Sequence, residues 1–467
     1  PHGTSKYKIQ YYGRIFMDWL MSINGAIYDI VWGPPMLFLI VGTGIYLSLS
    51  TKFFSITKLG YILKNTFLKM FSKEQLGEGE VTAFQAVATA LAATVGTGNI
   101  AGVATAIALG GPGSVFWLWL AAIFGMTTKY AEVVLAIRYR EKTADGRFVG
   151  GPMYYIANGL KMKWLAYIFA LFGALASFGI GNMVQSNSVA ASLQATFDIN
   201  PWVTGIVLAA ITAMVIVGGI KRIGAFTEKL VPFMAAIYIL GGIFIIIANA
   251  AHIPEAFRLI FSNAFTGHAA VGGFAGATLM QTIRYGVARG VFTNEAGLGS
   301  APIAHAAATT DHPVRQGLWG VFEVFVDTIV ICSITALSIM VSSLWDSGLT
   351  GAELTTAAFN EGIAGVGGYI VAIGIVLFAY STIIGWEYYG ERCAEYLLGP
   401  KVILPYRIIW IPMVFVGAIG GLETLWALAD TLNGLMAIPN LIGVLLLSPV
   451  VFKLTKEFFF KKRYYNR

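Results

Sequence analysis

From about residue 31 to residue 453, apolar residues come in runs of roughly twenty, separated by short charged or Pro/Gly-rich segments. A run of that length matches a helix crossing a hydrocarbon core about 30 Å thick. Inside that core every backbone N–H and C=O must be satisfied internally, which leaves only helices and closed barrels. A barrel would show short segments of alternating hydrophobicity, and these runs do not alternate. Only 12% of the residues are charged and the mean hydropathy is +0.72, against about 25% charged in ordinary soluble domains. The chain is therefore read as an all-α polytopic membrane protein. Eleven spans are predicted, at about 31–50, 82–109, 114–138, 163–195, 202–220, 230–250, 275–308, 315–344, 366–390, 403–420 and 424–453. Residues 1–30 form a lead-in. Within it, 8–30, with Tyr12, Phe16, Trp19 and Leu20, reads either as an interfacial amphipathic helix or as a solvated segment.

The net charge of +7 is explained by basic loops at one membrane face rather than by a nucleic-acid partner. With the N-terminus outside, the inner loops and the tail 454–467 hold 24 of the 31 basic residues, and the outer side holds only Lys6, Lys8, Arg14 and Arg258. That asymmetry predicts a multi-pass protein of the cell membrane with the N-terminus out and the C-terminus in the cytoplasm. Cys332 and Cys393 fall in different helices or at their ends and form no metal or disulfide pattern. No cleavable signal is expected, because the first 16 residues carry charge without an apolar core.

Two spans contain a matching interruption. Val95-Gly96-Thr97-Gly98-Asn99 lies inside the run from Thr82 to Leu109, and Phe292 to Ser300, with Gly297-Leu298-Gly299, inside the run from Ala275 to Ala308. Glycine disfavours helix, so each span should break at mid-membrane. Leaving the first span aside, ten spans divide into two sets of five, 82–250 and 275–453. An odd number of spans per set makes the second copy enter from the opposite side, so the repeats are inverted. Paired interruptions in such halves point to a transporter binding site at the bilayer midplane.

A break exposes helix N-termini that can hold a carboxylate, and carbonyl ends that suit an ammonium group or a hard cation such as Na⁺. The opposing reading is that the glycines only allow close helix packing. Two symmetric breaks with Asn99 and Thr293-Asn294 favour the site. Ser381 and Thr382 are either hydroxyls bonded back to their own helix or oxygen ligands for an alkali cation. Ionisable residues inside spans (Lys129, Glu132, Arg284, Arg289, Glu295, His305, Glu323, Asp327, Glu387 and Asp430) are functional candidates. Glu295 has three roles open to it: contacting a substrate amine, tuning ion binding, or pairing with Arg289. The last is favoured. Lys129 and Glu132 are expected to snorkel at the inner end of their helix. His305 is expected to be a packed polar residue, and Glu323 and Asp430 to form gates or helix–helix hydrogen bonds. Phe178, Asn182 and Gln185 share one helix face, either as pocket lining or as an interface stripe. Trp386 either caps a pocket or joins an interfacial belt.

The run Gly110-Gly111-Pro112-Gly113-Ser114-Val115-Phe116-Trp117-Leu118-Trp119 and the run Arg289 to Pro302, followed by Ala304-His305-Ala306-Ala307, resemble the signatures of the alanine or glycine:cation symporters. The resemblance covers nearly the whole chain. It implies Na⁺-driven transport of alanine, and of glycine, on the LeuT-like fold of two inverted five-helix repeats with discontinuous first helices. It further implies that Gly96, Thr97 and Gly98 bind the substrate carboxylate. Thr94 and Phe292 would offer carbonyls to its amine, with Thr293 beside it. Asn99 and Thr293 would ligate one sodium. Ser381 and Thr382, with the carbonyls of Ala92 and Val95, would ligate another. Glu295 departs from the small polar residue usual in that wider group. Phe178, Leu298 and Trp386 are the bulky candidates for the side-chain end of the pocket, excluding larger amino acids by clash, since one methylene otherwise discriminates by only about 1–3 kcal/mol.

The function expected is a sodium-coupled symporter of small neutral amino acids working by alternating access. A proton-coupled transporter on the same fold is the alternative. It is disfavoured because residues 230–250 hold no lysine to replace sodium, and kept open by Glu295. An ion channel would need a filter segment that is not seen. A membrane enzyme lacks any nucleophile elbow, carboxylate dyad or metal cluster.

Overall fold

The computed structural model describes residues 19–72, 77–269, 276–420 and 423–460. The rest of the lead-in, 1–18, and the end of the basic tail lie outside the described residues. The frame consists of α1 (Trp19–Ser50), α2 (Ala83–Thr94), α3 (Gly98–Gly110), α4 (Ser114–Arg138), α5 (Lys163–Phe197), α6 (Pro201–Ile216) and α7 (Gly219–Ala248). After these come α8 (Leu279–Asn294), α9 (Pro302–His305), α10 (Pro313–Val341), α11 (Gly367–Leu398), α12 (Pro400–Ile419) and α13 (Glu423–Phe460).

Among the described residues, eight helices are long and apolar enough to cross a membrane, and the bent pair α2–α3 makes a ninth. The helices α6 and α8, with 16 residues each, occupy the positions of the other two expected spans. Helix α1 starts well before residue 31, α7 before residue 230, and α11 and α13 run past their expected ends. The sequence reading also missed a short hairpin, Glu141–Lys142 with Phe148–Val149, and helices Pro152–Gly159, Ile253–Asn263 and Gly351–Gly362.

Both interrupted helices start the same way. Thr82 caps α2 by accepting from Gln85 N at 3.1 Å, while Gln85 Oε1 accepts from Thr82 N at 3.1 Å. Thr278 and Gln281 form the same reciprocal box on α8, at 3.2 and 2.8 Å. Each box satisfies two of the donors that a helix start leaves orphaned.

The two helices end differently. Helix α2 stops after Thr94. Val95 turns extended at φ −77°, ψ 91°, and the chain resumes as α3 with a bend of 53°. Helix α8 ends at Glu295, which takes a left-handed φ of 55°, and Gly297 and Gly299 follow at φ 93° and 86°. The next helix, α9, is only four residues long.

Helix α2, mostly small and apolar, is buried on nearly every face, as a helix apolar all round must be. It lies among α7, α10 and α11, and α8 packs on α3 and α4. By contrast, α7 leaves Phe233, Leu240, Phe244 and Ile247 more than half exposed, an apolar outer surface suited to lipid. Three stretches widen into π-helical turns: Gly98–Gly102 in α3, Ser177–Met183 in α5 and Phe325–Cys332 in α10. Such turns locate at functional sites. They leave no trace in hydrophobic periodicity.

Lys129 and Glu132 correct the expectation of snorkelling. Both are 0% exposed. Lys129 Nζ pairs with Glu323 Oε1 at 3.2 Å, and His305 Nε2 stands 2.9 Å from Glu323 Oε2. Gln316 Nε2 holds the other ring nitrogen of His305 at 2.9 Å. His305 is thus a packed polar residue and Glu323 a bridge between helices, as expected. A buried lysine is tolerable only with such a partner.

Candidate functional site

The two breaks meet. A Cβ on Gly98 would lie 2.9 Å from Thr293 Cγ2, and one on Gly96 2.7 Å from Thr382 Oγ1. Only glycine leaves room for the neighbouring chain at these points. Around this contact lies a narrow cavity of about 20 Å³, lined by Thr94, Gly96, Thr97, Gly98, Gln185, Phe292, Thr293, Glu295 and Trp386 of the expected set. Ala93, Ile180, Thr382 and Asn433 complete it. Neither Ile180 nor Asn433 was anticipated.

Three expected lining residues stand elsewhere. The Phe178 ring packs on Tyr406 and Trp410, at centroid distances of 5.0 and 5.3 Å. Asn182 Nδ2 donates to Trp410 O at 3.0 Å. Leu298 is fully buried among Val31, Trp32, Met36 and Leu441. The i, i+4, i+7 stripe on α5 therefore splits. Gln185 faces the cavity, accepting from Thr97 Oγ1 at 3.4 Å, while Phe178 and Asn182 face α12. The π-helical turn between these positions shifts the register that an ideal helix would keep.

Glu295 also departs from expectation. Its partners are Ser300 Oγ, which donates to Oε2, and Trp386 Nε1, which donates to Oε1 at 2.9 Å. Arg289 instead lies over the Phe292 ring, 5.8 Å from its centroid. The carboxylate thus sets the orientation of Trp386 and is itself part of the cavity wall. Glycine at 181 makes this possible, since a Cβ there would lie 2.1 Å from Trp386 Cβ.

At the first break, the Asn99 side chain folds back. Its Oδ1 accepts from Gly96 N at 2.9 Å, and its Nδ2 donates to Asp327 Oδ1 at 2.6 Å. On α11, Ser381 Oγ stands 2.9 Å from Ala92 O, 3.5 Å from Val95 O and 2.8 Å from Phe378 O. Thr382 Oγ1 stands 3.3 Å from Ala93 O and 3.0 Å from Phe378 O. Each hydroxyl has one proton to donate, so this corner holds more acceptors than donors. The balance suits a hard cation, which binds oxygen.

The second break is fastened by side chains. Gly297 N donates to Glu132 Oε1 at 3.0 Å, Asn440 Nδ2 donates to Glu132 Oε1 at 2.5 Å and to Gly297 O at 2.9 Å, and Tyr155 OH bonds Asn440 Oδ1. Ala296 N donates to Asn294 Oδ1 at 3.0 Å. Asn440 and Tyr155 escaped the sequence reading because they come from α13 and a loop helix with no motif to mark them.

A helical bundle with apolar outer faces, two central interrupted helices and a small cavity between them defines a multi-pass membrane transporter. Comparison with known sequences makes the class specific: the chain belongs to the sodium:alanine symporter family, which matches residues 17–466. It is 53% identical over 450 residues to the sodium/alanine symporter AgcS of Methanococcus maripaludis, covering 95% of this chain and 98% of that protein. The amino-acid carrier protein AlsT of Bacillus subtilis is 40% identical, over 92% of this chain and 90% of its own. Among solved structures, a Na⁺-coupled sialic acid symporter aligns at a TM-score of 0.49 with 13% identity, over 91% of this chain and 82% of its own.

Proposed function

We propose that this protein carries alanine, and with it glycine, across the cell membrane together with Na⁺, by alternating access around the cavity at the two breaks. The observation that carries the reading is the acceptor-rich corner of Ala92, Val95, Ser381 and Thr382 directly beside that cavity. In this reading the amides of Thr97 and Gly98 receive the substrate carboxylate without a basic side chain, and Gly96, whose N–H is held by Asn99 Oδ1, leaves room for its close approach. The carbonyls of Thr94 and Phe292, with Thr293, face its ammonium group. Glu295 adds charge on the same side, since a carboxylate that accepts two bonds keeps further lone pairs. Trp386 and Gln185 close the cavity and limit the side chain to a hydrogen or a methyl. Asn99 and Thr293 serve the sodium next to the substrate, and the Ser381 corner serves the other.

The matching capping boxes at Thr82 and Thr278 support two repeats, 82–250 and 275–453, while the odd number of spans in each supports their inversion and the basic inner loops support an outside N-terminus and a cytoplasmic C-terminus. Sodium binding joins α2 to α11 and orders the first break. By linkage, alanine raises Na⁺ affinity by the factor that Na⁺ raises alanine affinity. Uptake of labelled alanine into liposomes in NaCl, against choline chloride at constant ionic strength, tests the reading. Full-rate uptake without Na⁺ overturns it, and uptake driven by a pH gradient alone favours the proton-coupled alternative.

A further inference from the structure

Asp327 is a buried carboxylate in the membrane core with only neutral hydrogen-bond donors. It is 0% exposed and sits in the π-helical turn of α10. Its Oδ1 accepts from Asn99 Nδ2 at 2.6 Å and its Oδ2 from Thr328 Oγ1 at 2.7 Å. Both donors are neutral. Among the described residues no ion pair reaches it, and the buried Lys129 nearby is held by Glu323. A bare carboxylate in a low-dielectric interior is strongly unfavourable unless a counter-charge accompanies it.

The surroundings indicate what that counter-charge is. Asp327 touches both breaks through their asparagines. Asn99 links it to Gly96 N, and Thr328 accepts from Asn294 Nδ2 at 3.1 Å. Thr293 Oγ1 lies on the same side, 3.8 Å from Cys332 Sγ, which is itself 3.4 Å from Asn99 Nδ2. The neighbourhood is rich in oxygen, with carboxylate, hydroxyl and amide groups converging. A carboxylate with two acceptor positions already used keeps about two more. Oxygen sets of this kind take hard cations.

We propose that Asp327 supplies the fixed negative charge of the sodium position beside Asn99, so that Na⁺ binds there before the amino acid. This rests on the sodium-coupled reading above and adds to it a specific order. An ion whose charge is balanced only by the substrate carboxylate must wait for the substrate. An ion balanced by Asp327 does not. The protein without cation is then held back by an unpaired buried charge, and replacing that charge with a neutral isostere relieves it.

The test follows thermal unfolding of the purified protein without amino acid, in NaCl against choline chloride, with direct ²²Na⁺ binding alongside. The wild type gains stability with Na⁺ alone. Asp327→Asn melts higher than wild type in choline chloride and needs at least tenfold more Na⁺ for the same gain. Asp327→Glu, which keeps the charge, still binds ²²Na⁺ without alanine. The proposal is overturned if Asp327→Asn melts lower or aggregates in both salts, which is the behaviour of a structural acceptor, or if its Na⁺ response matches wild type. A wild type that answers to alanine but never to Na⁺ overturns the sodium reading itself, and this proposal with it.

Discussion

The two breaks begin with the same capping box and serve one cavity, yet they are held in opposite ways. The first is three residues long, from Val95 to Thr97, and is closed by a single asparagine of its own chain. Its Val95 carbonyl has only the distant Ser381 hydroxyl of α11, at 3.5 Å. The second spans Glu295 to Ala301 and has three residues in left-handed geometry. It is tied down by Glu132, Asn440 and, through Asn440, Tyr155. A short break with loosely satisfied carbonyls is one that an ion can order. A long break wired to buried side chains is a fixed wall against which the other half works. The difference argues that ion binding acts mainly through the first break and structural integrity through the second.

The comparison is open to direct attack. The largest effect is expected from Gly98→Val, whose side chain must displace Thr293 where a Cβ alone already comes within 2.9 Å. Alanine uptake should be abolished while the protein still assembles, and a variant with more than a tenth of normal uptake breaks the idea that the two breaks must touch. Next comes Asn440→Ala, which strips partners from Glu132, Gly297 and Tyr155 at once. With each orphaned buried group costing about 1–3 kcal/mol, it should lower the melting temperature markedly yet leave the Na⁺ concentration for half-maximal uptake within about threefold. A shift in that concentration larger than the loss of stability would erase the proposed division of labour.

Ser381→Ala should do the reverse. It should raise the half-maximal Na⁺ concentration about tenfold, the equivalent of about 1.4 kcal/mol, with little change in melting temperature. Trp386→Phe removes one hydrogen bond to Glu295, worth about 1 kcal/mol, and should weaken alanine binding a few-fold by calorimetry without touching Na⁺ dependence. The smallest and most symmetric test is Thr82→Ala against Thr278→Ala. Losing an N-cap costs about 1 kcal/mol, and equal losses would support equivalent roles for α2 and α8. A large loss at one alone would show that the starts differ as much as the ends.

Much of this site was legible beforehand. Gly96, Gly98, Gly297 and Gly299 announce breaks because glycine in a helix is unfavourable wherever it occurs, and Ser381-Thr382 announces oxygen in an apolar run. The capping boxes at Thr82 and Thr278 emerged only with the structure. Phe178 and Leu298 misled because bulk and helical spacing do not say which neighbour a face meets. At α5 a π-helical turn redirects the face as well.

The sequence alone determined that the chain is helical, crosses a membrane repeatedly and breaks two of its central helices. Those properties follow from local hydrophobicity and backbone propensity. Only the tertiary structure decided that Lys129 meets Glu323, 194 residues away, that Glu295 holds Trp386 rather than Arg289, and that Asp327 has no cationic partner among the described residues. A buried charge is defined by whatever packs against it. Those neighbours are brought together by folding across the whole chain, and nothing in the local sequence names them.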